Sequence, residues 1–324
     1  MDLLMPARRP QPLADFLRND YVPRRMTLKA RSVAQIEISV RSLDKFRGRP
    51  VRLDELTNAL VRRWLMARLQ TVSKDTAKRD RSNVLSLWRE AMRLRKCRRV
   101  TIDVATIRVP RKVPRAVPVP DIEKLLSAAS AYLPKRRPKM PACGCWADWW
   151  VGLLLGIYDC AGRINAMLSV RVSDCDLVGL TITLRDEAAK TDLEQVLPIT
   201  QQTANAIAKV ICGRSAAELV FDFPCRRRAI WLKLKALAKS AGVTLVRGQA
   251  FHSIRKTNAT LTTALISVEA AARTLGHGST TMTWQRYVDP RLLRSLQSQS
   301  VNLLPRPVFA ARGVSRERQL CLFG

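Results

Sequence analysis

Histidine is nearly absent from this chain: two of 324 residues, His252 and His277. Tyrosine is scarce, with four, and acidic residues are outnumbered by Lys and Arg, 26 to 57. The longest apolar run, 149-WWVGLLLGIY-158, falls well short of the ~20 residues that a membrane-spanning helix needs. It reads as a buried helix. The opening stretch, 1-MDLLMPARRPQPLADF-16, has no long apolar core, so no secretory signal is expected from it. The eight cysteines lack the regular spacing of a disulfide framework, and reduced thiols of an intracellular protein are expected. Cys143 and Cys145 form a C-x-C with no second pair nearby, so no zinc site is expected there. No cluster of carboxylates suited to paired cations is present. Neither a metal nor an organic cofactor is expected.

What the chain has in excess is positive charge. Its formal net charge is +31 and its pI is near 11.1. Residues 1–115 carry 29 Lys and Arg against 11 Asp and Glu, and the remainder 28 against 15, so both halves are basic. A globular chain with this imbalance usually meets a polyanion, nucleic acid first. Two basic halves favour a protein that surrounds its partner over one with a single basic arm. A basic ribosome-associated or surface protein would have a similar balance. No membrane or small-molecule partner is indicated.

The length suggests two domains. Helical patterns cover 12–28 and 31–47, with Val33, Ile36, Ile38, Val40, Leu43 and Phe46 forming an apolar stripe on the second. A loop and third helix span 49–69, with Thr57 as N-cap. A fourth covers 73–95. These make a basic helical domain over 1–107. Prolines 110, 114, 118 and 120 then exclude a helix and predict an extended basic linker over 108–120. A second domain, 121–304, opens with an amphipathic helix over 121–133 capped by Asp121. The Trp-rich helix 146–158 follows. Alternation of Leu180, Ile182 and Leu184 with Thr181, Thr183 and Arg185 predicts a strand, and 194–200 a return strand. From 201 the pattern is helical up to a tail at 305–324. The fold class is mainly α with a small antiparallel β-sheet.

Several polar residues stand at suggestive places, and each alone has an ordinary explanation. In 251-FHSIRKTNATL-261, His252 and Arg255 share a helix face. They suit an anionic oxygen, because the guanidinium fork matches two oxygens at once; equally, they suit a half-buried histidine and a surface charge. Lys190 lies between the two predicted strands, where it either projects as a proton donor or is a common turn lysine. Arg163, after the most apolar helix, needs a ligand or a salt bridge. In 275-LGHGSTTMTWQRYVDP-290, His277 follows a helix end, a helical segment begins near Ser279 or Thr280, and Tyr287 lies in or after it. Tyr287 is either a core residue or a nucleophile whose anion the surrounding cations favour.

Taken in order, Arg163, Lys190, His252-x-x-Arg255, His277 and Tyr287 resemble the pattern of the tyrosine recombinases, the phage-integrase family. The resemblance extends to 121-DIEKLLSAA-129 and to 168-LSVRVSDCDL-177, whose leucine and closing SDxDL are typical, and it covers nearly the whole chain. It implies a helical core-binding (SAM-like) domain before an α+β catalytic domain. It implies site-specific recombination or integration of duplex DNA through a 3′-phosphotyrosyl intermediate, without metal or cofactor. By that resemblance Tyr287 is the nucleophile and Arg163 and Arg255 clamp the phosphate oxygens. Lys190 protonates the leaving 5′-oxygen, His252 acts as base towards Tyr287, and His277 donates to a phosphate oxygen. A homotetramer on paired DNA sites is implied, in the cytoplasm with the nucleoid, and the helix-like segment 291–304 would be of the kind that docks on a neighbouring protomer. Lys74, Lys78, Arg79, Arg81, Arg226, Arg227 and Arg228 are the DNA-contact candidates.

The chain departs from the family pattern in three places. It reads 160-CAGR-163 where Thr-Gly-x-Arg is frequent. Ala166 stands where a glutamate commonly buttresses its neighbours. Ten residues separate His277 from Tyr287, where nine is commoner. Other uses of the same resemblance are a type IB-like topoisomerase, a telomere resolvase, or a DNA-binding protein whose catalysis has decayed.

Overall fold

The computed structural model describes residues 11–133, 139–185, 194–225, 227–245 and 250–301. The chain divides into two compact units, Met1–Arg111 and Lys112–Gly324, each with its own apolar core.

The first unit is helical. Its α1 (Leu13–Phe16) continues into one wide turn, Leu17–Tyr21. The expected helix over 12–28 therefore ends early, because Pro23 has no N–H to donate and its ring obstructs the preceding turn. Helices α2 (Ala30–Arg47), α3 (Asn58–Thr71) and α4 (Lys74–Arg93) follow. Thr57 caps α3 by accepting from Leu60 N, and Ser73 caps α4 by accepting from Thr76 N. The buried face of α2 is Ile36, Ser39, Val40 and Leu43. Ile38 and Phe46, counted in the expected stripe, are 46% and 41% exposed. Ile38 lies off the arc that 3.6-residue periodicity turns inward, which Ser39 occupies instead; Phe46 shares the Ser39 edge of that arc but stands in the last turn of the helix.

Ser39 is there for a polar link through the core. Asp80 is fully buried on α4. Its carboxylate accepts from Ser39 Oγ (2.8 Å) on α2 and from Arg68 Nε and Nη2 (3.0 and 2.7 Å) on α3. Three helices thus meet on one charge, which is compensated only while all its donors remain. Asp80→Ala is expected to destabilise this unit by about 3 kcal/mol. Hydrogen exchange across α2–α4 in the full chain, read by mass spectrometry, checks this.

The second unit begins with extended chain and α5 (Val119–Ser130). This helix starts two residues earlier than expected, and Pro118, not Asp121, stands at its N-cap. Pro120 is tolerated because N–H groups in a first helical turn have no intrahelical acceptor to lose. Asp121 lies in that turn and pairs with Lys124 at 3.1 Å. Helix α6 (Trp146–Cys160) is the pillar of the unit, with Trp146, Trp149 and Trp150 buried at its start. It packs on α5, on α8 (Gln201–Ile211) and on α10 (Ala250–Leu265). At Gly152 an added Cβ would lie 3.2 Å from Val210 on α8, so glycine here permits the close approach of the two helices.

Between α6 and α8 come α7 (Ile164–Met167) and a three-stranded antiparallel sheet in the order β1 (Cys175–Asp176), β2 (Thr181–Leu184) and β3 (Gln195–Pro198). Thr181 pairs with Pro198 and Leu184 with Gln195. Strand β1 was not expected, being two residues long. Leu180, included in the expected alternation, precedes β2 with a φ of 53°. Ile182 and Leu184 point into the core. The described residues close with helices: α9 (Arg227–Ser240), α10, α11 (Val268–Leu275), α12 (Thr280–Arg286) and α13 (Pro290–Val301). The architecture is mainly α with one small antiparallel sheet, as the sequence predicts. Among the described residues no helix is long and apolar enough to cross a membrane. The described cysteines are free thiols.

Candidate active site

Helix α10 carries His252 and Arg255 one turn apart. Two further residues of α10 fix the surrounding chain. Asn258 Nδ2 donates to the carbonyls of Tyr158 and Asp159 (2.8 and 2.9 Å), the last turn of α6. Thr257 Oγ1 donates to Val117 O (2.6 Å) and accepts from Val117 N (3.0 Å). The end of α6 is therefore held against α10, which sets where the chain turns towards Arg163.

That turn is made by Ala161, which has φ 47° and ψ 27° and is fully buried. The left-handed region costs a non-glycine residue about 1–2 kcal/mol, so the surroundings must hold it. They do: Ala161 O accepts from Arg255 Nη1, and its side chain joins Ala259, Leu275 and Tyr287 in a small apolar cluster. Gly162 follows with no room for a side chain, since a Cβ would lie 2.4 Å from Met167 Sδ. The displaced glycine of CAGR thus has a steric reason. Arg163 is the N-cap residue of α7, and Ala166 is buried on that helix.

Arg255 is 2% exposed. Besides Ala161 it donates through Nη2 to Leu275 O at 2.8 Å, the end of α11. Two carbonyls from distant segments therefore fix its fork. No described carboxylate pairs with it. Burial and the nearby Arg163 push its pKa down to about 10, while the Tyr287 side chain opposes this.

Gly276 ends α11 with φ 62°, and a Cβ there would lie 2.6 Å from Gln195 Oε1. Gln195 Nε2 in turn donates to Arg273 O at 2.9 Å, so β3 seats against the turn that delivers His277. The His277 ring is fixed by a 2.8 Å hydrogen bond between Nδ1 and Thr283 Oγ1. Its Nε2 is buried without a partner.

Tyr287 sits at the C-cap of α12, 7% exposed. Its ring centroid lies 5.0 Å from that of His252 and 4.5 Å from that of His277, with Arg255 Cζ at 5.4 Å. Asp289 anchors the following segment. Its N–H donates to Thr260 Oγ1 (2.9 Å) and its carboxylate accepts from Ala116 N (2.8 Å).

Both imidazoles are held neutral. His252 is pushed down to about 4 by burial, then by Arg255, Lys256 and Arg163. His277 falls to about 4 through burial, then Arg255, Arg163 and His252. Arg163 acts on all three of His252, Arg255 and His277, which places it at the same site. Its carbonyl accepts from Met167 N at 3.0 Å, while its guanidinium makes no hydrogen bond or ion pair to a described residue. The site is thus a partly buried cationic cluster with neutral imidazoles and a phenol, suited to an anion and to proton transfer.

Of the residues singled out from sequence, Arg163, His252, Arg255, His277 and Tyr287 come together. Lys190 lies outside the described residues. Among the charge candidates, Lys74, Lys78 and Arg79 are exposed on α4 and Arg228 on α9. Arg226 and the side chain of Arg227 lie outside the described residues. Arg81 differs from its neighbours: its guanidinium turns inward to Val104 O and burial lowers its pKa. It stands one turn from Ala77 on the partly buried flank of α4, so it is not free to solvent as a surface charge would be. Sequence reasoning missed Thr283, Asn258, Gln195 and Asp289. Only Thr283 had a local signal, one helical turn before Tyr287. Among the described residues no three His, Cys, Asp or Glu side chains gather as a metal site would.

No protein-family model and no curated protein sequence matches the chain. Solved structures do. A lambda integrase dimer bound to a COC′ core site shares 18% identity over 87% of this chain and 78% of that one, with a TM-score of 0.65. A lambda integrase tetramer bound to a Holliday junction shares 18% over 88% and 79%, at 0.66. The Tn1549 transposon integrase in complex with transposon right end DNA shares 16% over 90% and 99%, at 0.66. All are tyrosine recombinases. At these identities the likeness gives this chain their fold, in agreement with the resemblance read from its motifs.

Proposed function

We propose that this protein is a site-specific DNA recombinase or integrase that cuts and rejoins duplex DNA through a tyrosine–phosphate bond. The observation that carries the proposal is the convergence on one phenol: Tyr287 lies with two neutral imidazoles and a buried, carbonyl-fixed guanidinium around it. The net charge of +31 and the DNA-bound integrases of the same fold support DNA as the substrate.

In this reading the scissile phosphate rests between Arg163 and Arg255, which neutralise the charge that grows on its oxygens. Tyr287 Oη attacks phosphorus as His252 takes its proton. The bond to the 5′-oxygen breaks, and Lys190, on the β2–β3 connection, protonates that oxygen. A 3′-phosphotyrosyl bond and a free 5′-hydroxyl result. Attack by another 5′-hydroxyl reverses the step, so no external energy source is needed. Lys74, Lys78, Arg79 and Arg228 would contact DNA phosphates, which gives a steep salt dependence. By likeness to the integrase dimer and tetramer, we extend the proposal to a homotetramer on paired DNA sites, in the cytoplasm with the nucleoid.

The test is covalent trapping. The protein is incubated with DNA from the flanks of its own gene, quenched in SDS, digested with nuclease and mapped by mass spectrometry. A nucleotide on the Tyr287 peptide is expected. An adduct on another tyrosine overturns the site assignment, and no adduct on a proven binding site favours a purely DNA-binding role.

Acid dependence gives a second check. A neutral imidazole is a competent base only above its own pKa, here about 4 for His252. The acid limb of kcat/KM, which reports the free enzyme, should run flat through the ordinary histidine range near ~6.5 and fall only well below it. A half-drop near ~6.5 contradicts the assignment of His252 as base. Stability follows the same groups. The unfolded chain takes up these protons from about 6.5 downward, but the folded one does so only near 4. Their contribution is thus complete above the unfolded value and is lost as the pH falls through this window. Urea melts across that window check it.

A further inference from the structure

His277 Nε2 is buried and bonds nothing, while Nδ1 of the same ring lies 2.8 Å from Thr283 Oγ1. A neutral imidazole carries one N–H. The direction of that single hydrogen bond therefore decides what Nε2 offers. If Nδ1 donates, Nε2 presents a bare lone pair. If Thr283 donates, Nε2 carries the proton.

The 2.8 Å contact is the same length in either direction, for the Thr283 hydroxyl can accept from Nδ1 and donate to Ser279 O at 3.4 Å, or donate to Nδ1. The surroundings of the ring favour the second. It faces Arg163, Arg255, His252 and Tyr287, a setting that gathers an anion. Towards a phosphate oxygen an N–H is attractive and a lone pair repulsive.

We propose that Thr283 is a positioning residue whose hydroxyl donates to His277 Nδ1 and so keeps Nε2–H available to the phosphate. The phosphate, and with it the choice of tautomer, rests on the strand-transfer reading; the contact between Thr283 and the ring does not. Thr283 is fully buried on α12, where its position is set by packing. Its backbone has a separate task, for Thr283 O accepts from Tyr287 N (2.9 Å) and Val288 N (3.2 Å). A side-chain exchange leaves that link in place. Thr283→Val keeps the branched shape and removes the hydroxyl alone, and Thr283→Ser keeps the hydroxyl.

The experiment is nitrogen NMR of the full chain labelled in histidine, near neutral pH. With only two histidines in the sequence, His252→Gln assigns the signals. The expected result is an unprotonated Nδ1 and a protonated Nε2 for His277, disturbed in Thr283→Val and restored in Thr283→Ser. A protonated Nδ1 in the native protein overturns the proposal, as does an unchanged His277 spectrum in Thr283→Val. Cleavage of trapped DNA is the second readout. Thr283→Val should cleave about tenfold more slowly, the size of one oriented hydrogen bond, with DNA affinity unchanged and Thr283→Ser near native. Equal loss in both variants overturns the proposal. Should the native protein cleave no DNA, the strand-transfer reading fails, and the spectrum alone still decides for or against Thr283.

Discussion

Tyr287→Phe is expected to bind DNA as the native protein does and to form no covalent product at all. The substitution removes one oxygen. The ring stays in its cluster with Ala161, Ala259 and Leu275, and its edge-on and tilted contacts with His252 and His277 at 5.0 and 4.5 Å are retained. The Tyr287 N–H still bonds to Thr283 O. Stability should therefore change by no more than about 1 kcal/mol. Chemistry, in the strand-transfer reading, has no substitute nucleophile. Rates of strand cleavage should fall by at least about 10⁴-fold, in line with removal of a residue on which the whole mechanism depends. A nicked substrate that traps the covalent state, run on a denaturing gel beside a binding titration, separates the two effects. Persistent adduct in the variant would show that another residue attacks.

Arg255→Met has the second largest expected effect, about a thousandfold loss of cleavage rate. This is the scale for removing a preorganised donor from a developing charge. The stability consequence is opposed by its own cause. Loss of the guanidinium leaves the buried carbonyls of Ala161 and Leu275 without their donor, at a cost of about 1–3 kcal/mol each. The same substitution removes a cation that is 2% exposed and whose pKa is driven down to about 10, a relief of about 3 kcal/mol. The two nearly offset, and methionine fills most of the volume. The folded state should therefore persist while activity collapses. A thermal melt of the variant checks the first half and single-turnover cleavage the second. A melting temperature far below native would mean that the carbonyls dominate.

Ala166 bears on both results. The structure buries it beside the segment that carries Arg163, with no carboxylate at that position to steady the guanidinium. The Arg163 guanidinium has no described partner, whereas that of Arg255 is bound to two carbonyls. Of the two arginines, the one on α10 is the better fixed.

Much of the fold was legible from local patterns. Thr57 and Ser73 precede their helices and cap them because a side-chain oxygen can reach an N–H three residues on. Ile182 and Leu184 alternate with threonines and face inward because a strand turns every second residue to one side. In two places where local reading failed, a nonlocal contact was responsible. Ile38 is as apolar as Ile36 but points outward, while Ser39 points inward to an aspartate on another helix. Arg81 reads as a surface charge until the carbonyl of Val104 is seen beside it.

For the site, the sequence by itself determined the parts and their order: Arg163, His252, Arg255, His277 and Tyr287, in a chain with almost no other histidine. Those identities are chemical facts that no fold alters. The tertiary structure alone decided that the five come together, that Ala161 takes a left-handed turn to meet Arg255, and that both imidazoles are neutral with one of them tied to Thr283. Convergence depends on how α6, α10, α11 and α12 pack, and protonation depends on burial among neighbouring charges. Both are set by residues far apart in the chain, and no local pattern of side chains encodes them.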